Sequence, residues 1–215
     1  MIHLHSVTKV VSTKHHSSRL GLYRTTIAVP TDRRVAILGG RREGKTLLLR
    51  LIARAEEPDD GKVIGQERLS PIGNTRSLFH PRLSCFDNIR AIARLMGIPA
   101  DQLVSAFDKL CPLGRDIEKS IVAMEFLRRQ HVELALLSIL SFDCYLLDDA
   151  HLTPKDLLER YFDAAEKRGA GMIFTTAQPR QVTEYADSAI VVRGNTARSF
   201  NHVEEAIEAY EQQTA

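Results

Sequence analysis

The chain contains no tryptophan and few aromatic residues, which make up 6% of its 215 residues. Proteins that hold single-stranded nucleic acid stack the bases on aromatic side chains, so this composition argues against such a platform. Cysteine is scarce too, and Cys85, Cys111 and Cys144 are odd in number and far apart. These three exclude a disulfide scaffold and a four-cysteine zinc site, and they fit a reducing compartment.

The sequence also lacks a long apolar run of the kind that crosses a bilayer. The nearest candidate, residues 134–147, is short and contains Asp143, which predicts a buried helix end followed by a buried strand. The first residues alternate between apolar and polar and do not form the apolar segment of a signal peptide. We therefore expect a cytoplasmic location, with any membrane attachment supplied by a partner.

The chain has nearly equal numbers of basic and acidic residues, 29 and 27, and its formal net charge is +2. This balance does not suggest a dedicated polyanion binder, and we expect no nucleic acid partner. Hydrophobic residues make up 44% of the chain, which is enough to bury a sizeable core at this length.

Strand-like and helix-like patterns alternate at both ends of the chain. Apolar or β-branched runs predict strands at residues 2–5, 25–29, 35–38, 62–64, 144–147, 171–174 and 189–192. Helical patterns lie at residues 45–53, 155–167, 180–185 and 203–212, and the span from 88 to about 137 is largely helical. This order predicts an α/β core that carries an inserted helical subdomain.

A glycine-rich motif follows the apolar strand at 35–38 and leads into the leucine-rich helix at 45–53. Its residues are Gly39, Gly40, Arg41, Arg42, Glu43, Gly44, Lys45 and Thr46. They match the phosphate-binding pattern G-x-x-x-x-G-K-[ST] at every fixed position and in the required strand-to-helix context. In such a loop the backbone N–H groups and the helix dipole face a phosphate, a lysine contacts the β- and γ-phosphates, and the hydroxyl binds Mg²⁺. The alternative is a glycine-rich turn with no ligand.

A second element of nucleotide chemistry follows the buried strand at 144–147. Asp148 stands where a P-loop NTPase has its metal-supporting carboxylate, and Asp149 comes next to it. We predict Thr46 and Asp148 as the Mg²⁺ ligands and Asp149 and Lys45 as the catalytic residues. The nucleotide site is predicted to run from Gly39 to Leu47. An acidic turn after a buried strand is the alternative, and it is common in α/β proteins.

The whole chain resembles the ATP-binding subunits of ABC transporters, and most closely those of capsular polysaccharide exporters. The resemblance rests on the motif at 39–46 and on collinear segments at 27–30, 58–63, 86–97, 145–149 and 203–211. It implies one ABC-type nucleotide-binding domain over residues 1–215, a P-loop NTPase with a RecA-like core at 1–79 and 140–215 and a helical subdomain at 80–139.

The resemblance also implies a function. It implies an ATPase that uses ATP and Mg²⁺ to drive export of capsular or another surface polysaccharide. The subunit is expected to form a homodimer, or a heterodimer with a second ATP-binding subunit. It is expected to dock on an integral membrane permease, as a peripheral protein at the cytoplasmic face of the inner membrane.

The chain departs from the family pattern at several places. Val10 and Val11 stand where the family has an aromatic residue that stacks on adenine, and Arg42 stands at a usual glycine of the loop. The membrane-facing glutamine is replaced near His80, the switch histidine by Ala177, and the catalytic glutamate by the shorter Asp149.

The signature motif, which contacts the nucleotide of the opposite subunit, falls near residues 124–128, where no glycine or serine is present and Glu125 adds a negative charge. These losses predict slow turnover. They also leave open a nucleotide-binding regulatory or scaffolding subunit without ATPase activity. A small-molecule P-loop kinase is a further, disfavoured alternative. His15 and His16 are expected in an exposed loop, although a metal site is the alternative there.

Overall fold

The computed structural model describes residues 1–12, 18–74 and 78–212. The strands are β1 (Ile2–Ser12), β2 (Ser18–Val29), β3 (Arg34–Leu38), β4 (Asp60–Ile64), β5 (Leu69–Gly73), β6 (Cys144–Leu147), β7 (Gly171–Thr176), β8 (Ser188–Arg193) and β9 (Thr196–Phe200). The α-helices are α1 (Lys45–Ile52), α2 (Cys85–Met96), α3 (Ala100–Leu110), α4 (Phe126–Ile139), α5 (Lys155–Glu166), α6 (Pro179–Tyr185) and α7 (Val203–Glu211). Short 3₁₀ turns lie at Gly114–Glu118, Ile121–Ala123 and Ala150–Leu152.

The chain divides into two compact units. The first contains Met1–Ile72, Phe142–Leu152 and Ala165–Ala215, and the second contains Gly73–Ser141 and Thr153–Ala164. The sequence predicted a core at 1–79 and 140–215 with a helical subdomain at 80–139, and that division stays a prediction. The units differ from it chiefly because most of α5 groups with the second unit.

The first unit contains two sheets. In one, β2, β1 and β4 are antiparallel neighbours. The other has the order β5-β6-β7-β3-β8-β9, in which β6, β7, β3 and β8 are parallel and β9 runs antiparallel to β8. Parallel strands are covered on both faces, which explains the continuous apolar runs that predicted β3 and β6. The carboxyl ends of these strands share one edge of the sheet, where ligands bind in α/β folds.

The core of the first unit combines both sheets with α1. Leu4 and Val29 come from the antiparallel sheet, Ile37 and Ile173 from the parallel strands, and Leu49 from α1, and each is fully or almost fully buried. Burial of one such side chain contributes about 1.5–3 kcal/mol. Apolar packing against both sheets therefore holds α1, and with it the loop that precedes α1.

The start of β7 is unusually crowded. A Cβ atom at Gly171 would overlap the carbonyl oxygen of Thr31, and the N–H of Met172 donates to the carbonyl of Arg33 at 3.0 Å. Gly171 pairs with Cys144 on one side, while Met172 pairs with Arg34 on the other. A side chain is therefore excluded at Gly171 by the backbone of the neighbouring loop.

The second unit is helical, and α2 begins and ends with standard caps. The Ser84 hydroxyl accepts the N–H of Asp87 at 3.0 Å, and Gly97 takes a φ of 67° after the last turn. Asn88 is buried, and its amide group contacts the loop before the helix. It accepts the N–H of His80 at 2.7 Å and donates to the carbonyls of His80 and Ser84 at 3.1 and 2.8 Å. The helix and its entry loop are therefore joined by one side chain.

The predicted helical span from 88 to 137 is interrupted in two places. Pro99 caps α3 after the left-handed Gly97, and the segment between Cys111 and Glu125 contains two short 3₁₀ turns and no α-helix. Apolar spacing alone did not separate these pieces. Among the described helices, none combines the length and the apolar character needed to cross a membrane.

Candidate functional site

The glycine-rich motif forms the connection between β3 and α1. The N–H of Gly39 donates to the Thr176 carbonyl at 3.4 Å, which places the loop at the carboxyl end of β7. Gly44 caps α1 with a φ of 95°, and no side chain caps the first turn. The first N–H groups of α1 are therefore uncapped by any side chain, which is the arrangement that favours an anion.

Arg42 lies in the left-handed region, with a φ of 70°. Glycine adopts this conformation freely, whereas in other residues Cβ lies too close to the backbone and raises the free energy of this conformation. The usual pattern of such loops has a glycine at this position, and Arg42 adopts a φ that glycine favours. Arg41 and Arg42 are exposed and line the same cleft.

Lys45 is 7% exposed, and its ammonium group donates to the carbonyl of Gly40 at 2.8 Å. Burial lowers the pKa of this lysine, and the nearby carboxylates of Asp149, Asp148 and Glu43 oppose part of that effect. The hydrogen bond that this buried ammonium group makes to Gly40 is to a neutral carbonyl oxygen. The ammonium group is placed to gain from a phosphate oxygen.

Glu43 turns its carboxylate back into the loop. The N–H of Gly40 donates to Oε2 of Glu43, and Oε1 lies 4.0 Å from Nε of Arg193 on β8. Arg193 also donates to the carbonyl of Tyr210 on α7 at 3.2 Å. The Glu43 carboxylate therefore holds one of the backbone N–H groups that the motif predicts for phosphate.

Asp148 follows β6 and lies beside Thr46. The Thr46 hydroxyl is 2.9 and 3.1 Å from the two carboxylate oxygens of Asp148. Asp148 is 7% exposed, so its charge is held near the loop and away from bulk water. A hydroxyl and a carboxylate are hard oxygen ligands, and Mg²⁺ in nucleotide sites takes one or two of these and keeps several waters. The two residues therefore fit the metal that the sequence predicts.

Asp149 comes next and has a φ of 46°. Its side chain is partly exposed, and Oδ1 lies 3.9 Å from Nδ1 of His151. Both residues line the cleft in front of the loop. Asp149 and His151 therefore present two polar side chains to the cleft, and a carboxylate is one of the groups that serve as general bases.

The cleft has a volume of about 570 Å³, which is in the range of small-molecule sites. It is lined by Val11, Gly21, Arg41, Arg42, Glu43, Gly44, Lys45, Thr46, Leu47, Asp149, His151, Leu152, Ala177 and Asn195. Most of the predicted nucleotide residues therefore share one cavity. Among the described residues no phenylalanine, tyrosine or tryptophan lines it, and its apolar side chains are those of Val11, Leu47, Leu152 and Ala177.

Other predicted positions lie in the second unit. The segment expected to replace the signature motif is the start of α4, where Glu125 is the N-cap residue without a side-chain capping bond. His80 belongs to the entry loop of α2. His15 and His16 lie outside the described residues.

Sequence reasoning missed Thr175, the fully buried fifth residue of β7. Its hydroxyl donates to Oδ1 of Asp148 at 2.6 Å and accepts the N–H of Asp149 at 2.8 Å. A hydroxyl inside an otherwise apolar strand was visible in the sequence as the pair Thr175-Thr176. Its partner could not be inferred without the register between β6 and β7.

Curated relatives match the chain over most of its length, whereas no family model matches it. The capsule polysaccharide export ATP-binding protein CtrD of Neisseria meningitidis is 23% identical over 216 residues, which cover 98% of each chain. The ATP-binding protein BexA of Haemophilus influenzae is also 23% identical, over 219 residues and 98% of each chain. The polysialic acid transport ATP-binding protein KpsT of Escherichia coli is 26% identical over 193 residues, or 86% of this chain and 87% of that protein.

Solved structures that share the fold include ATP-binding components of ABC transporters. An ATP-binding subunit of an ABC transporter superposes with a TM-score of 0.78 at 14% identity, covering 100% of this chain and 93% of that one. The ATP-binding cassette MJ0796, solved as a dimer with ADP and phosphate, gives a TM-score of 0.77 at 16% identity and covers 94% and 98%. The predicted α/β P-loop fold is confirmed. The chain has the fold of an ABC nucleotide-binding domain, and its sequence is similar over most of its length to the ATP-binding proteins of capsular polysaccharide export.

Proposed function

We propose that this chain is the ATP-binding subunit of an ABC exporter for capsular or another surface polysaccharide. The observation that carries the proposal is similarity over 98% of the chain to two ATP-binding proteins, CtrD and BexA, the first named for capsule polysaccharide export. The cleft adds chemical support, because it brings a buried lysine, a helix N-terminus and a paired hydroxyl and carboxylate into one unit of the fold.

ATP binds with its phosphates at residues 39–47 in this proposal. The backbone N–H groups of the loop and the Lys45 ammonium neutralise the charge of the phosphates. Thr46 and Asp148 hold Mg²⁺, which supplies further charge neutralisation when it is bound. Apolar contacts from Val11 and Leu47 replace ring stacking against the base.

Asp149 acts as the general base in this proposal, with His151 beside it. Aspartate is one methylene shorter than the glutamate expected here, so hydrolysis is slow unless the backbone of Asp149 or a relaying water compensates. Loss of one group that acts in the transition state costs about 3 kcal/mol, which is a hundredfold or more in rate. Replacement of Asp149 by glutamate is expected to raise the rate of ATP hydrolysis.

The proposed partners are an integral membrane permease and a second ATP-binding subunit, which is either another copy of this chain or a paralogue. The chain then acts as a peripheral protein at the cytoplasmic face of the inner membrane. Closure of the two subunits around ATP moves the permease, and hydrolysis reopens them.

The proposal is tested by purification from membranes followed by nucleotide assays. We expect the chain to co-purify with an integral membrane protein and to bind Mg-ATP, and Lys45→Ala to abolish that binding. Lys62→Ala is the matched control, because Lys62 is exposed on β4, away from the cleft. Absence of a membrane partner, together with binding that survives Lys45→Ala, would refute the proposal.

A nucleotide-binding subunit that does not hydrolyse ATP is the second candidate. Its motivation is Ala177 in place of a histidine and Glu125 at the N-cap of α4, whereas the similarity to ATP-binding proteins of polysaccharide export favours the first candidate. Steady-state hydrolysis by the assembled transporter separates the two candidates. Activity that is lost with Lys45→Ala in this chain supports the ATPase, and activity that persists unchanged supports the silent subunit.

A further inference from the structure

The Thr175 hydroxyl contacts both acidic residues of the site, the carboxylate of Asp148 and the backbone N–H of Asp149. The hydroxyl lies at the carboxyl end of β7 and has no solvent exposure. It donates to Oδ1 of Asp148 at 2.6 Å and accepts the backbone N–H of Asp149 at 2.8 Å. A hydroxyl has a single proton, and the N–H of Asp149 can only donate, so the direction of both bonds is determined.

Asp148 is contacted from two sides by these bonds. Thr175 binds Oδ1, and the Thr46 hydroxyl lies within 3.1 Å of both oxygens. The Thr175 bond therefore helps to hold the rotamer in which Asp148 faces Thr46, the loop residue predicted to share the metal.

Asp149 depends on Thr175 in a different way, through its backbone. A φ of 46° is uncommon for an aspartate and persists where neighbouring groups hold it. Its N–H, two residues after the end of β6, donates to the Thr175 hydroxyl. Because φ determines the direction of the Cα–Cβ bond, this contact helps to orient the side chain of Asp149. That side chain is one methylene shorter than the glutamate expected of the general base.

We propose that Thr175 is a positioning residue of the ATP site, which orients Asp148 toward the metal and holds the backbone that aims Asp149. The inference rests on the proposed function and extends it to a residue outside the glycine-rich motif and outside the acidic pair. Thr175 itself lies outside the set of side chains that line the cleft.

Thr175→Val tests this inference, because it removes the hydroxyl and keeps the shape of the side chain. We expect kcat for ATP hydrolysis to fall about tenfold or more, while KM changes less than about threefold. We also expect the Mg²⁺ concentration that half-maximally tightens ATP binding to rise at least about threefold, because the oriented carboxylate is lost. The second measurement does not depend on turnover.

The chain offers a matched control in Thr176, the next residue of β7. It is equally buried, and its hydroxyl donates to Oε1 of Gln181 at 2.6 Å and accepts the N–H of Gln178 at 3.1 Å. Thr176→Val therefore removes two hydrogen bonds of the same kind that point to α6 and not to the carboxylates. It is expected to lower the melting temperature without moving the Mg²⁺ dependence.

A second pair of variants covers the case in which Thr175→Val does not fold. Thr175→Ser and Thr175→Ala differ only in the hydroxyl, and serine is expected to keep the Mg²⁺ dependence that alanine loses. Equal Mg²⁺ dependence in the serine and alanine variants, or in Thr175→Val and the wild type, would overturn the inference alone. A wild-type chain that binds no Mg-ATP would overturn the proposed function, and the inference with it.

Discussion

Removal of the Glu43 carboxylate is expected to tighten the binding of Mg-ATP. The carboxylate accepts the N–H of Gly40, one of the donors that the motif predicts for a phosphate oxygen. It also belongs to the group of three acidic residues whose charges act on Lys45. A triphosphate must therefore displace the Glu43 carboxylate from the N–H of Gly40 in the same loop.

The magnitude follows from the bond that must be exchanged. A hydrogen bond to a charged group contributes about 1.5–3 kcal/mol, and part of this is recovered when Glu43 turns toward water and Arg193. Like-charge repulsion between Glu43 and the phosphates adds to the cost but is weakened by solvent, because the side chain is partly exposed. A net penalty of about 1.4 kcal/mol corresponds to about a tenfold weaker Kd.

Calorimetric titration of the wild type, Glu43→Ala and Glu43→Gln measures this penalty. We expect alanine to tighten Mg-ATP binding about tenfold and glutamine to give an intermediate Kd, because the amide keeps an acceptor without the charge. Glu57→Ala, at an exposed position after α1, controls for net charge. Higher salt should narrow the difference between wild type and alanine. Unchanged or weaker binding by Glu43→Ala would refute the argument and would assign Glu43 a supporting role in the loop.

Three further predictions concern the metal, the second unit and the thiols. Asp148→Ala should make ATP binding insensitive to EDTA in calorimetry, whereas the chelator should weaken binding by the wild type. Asn88→Ala should lower the free energy of unfolding in urea by about 3 kcal/mol, because several backbone groups lose a buried partner, and Arg94→Ala on the exposed face of α2 should change it little. Burial raises the pKa of Cys85 and Cys144 to about 12, from 9.0. Both thiols should therefore resist iodoacetamide at pH 8 until the chain is unfolded. The pKa of each thiol is higher in the folded chain than in the unfolded chain. The contribution of the buried, neutral thiols to the free energy of unfolding is therefore complete below about pH 9 and is lost as the pH rises toward 12. Rapid alkylation of either cysteine in the native protein would contradict the burial.

The elements around the loop were predictable because local patterns determine them. The apolar run of β3, the glycines at the turn and the leucines of α1 indicate a strand, a turn and a helix without reference to the rest of the chain. The strand of β6 and its two aspartates were recognised for the same reason. The left-handed φ of Arg42 agrees with the glycine that the family pattern places there.

What the sequence did not reveal depends on pairing between distant segments. Thr175 approaches Asp148 only because β6 and β7 are parallel neighbours with Leu147 opposite Phe174. The return of Glu43 onto Gly40 depends on loop dihedral angles that the motif does not encode. Strands β5 and β9 were also missed, since β5 contains a proline and β9 is polar and exposed along most of its length.

The crowded start of β7 has a consequence for the far end of that strand. Since alternate residues of a strand face opposite sides, a slip of one position would exchange the directions of Thr175 and Thr176. The backbone around Thr31 tolerates only a hydrogen atom at Gly171, and this is where sliding of the strand is blocked. An alanine at this position is therefore expected to shift the start of β7, and to alter the contact between Thr175, four residues away, and Asp148.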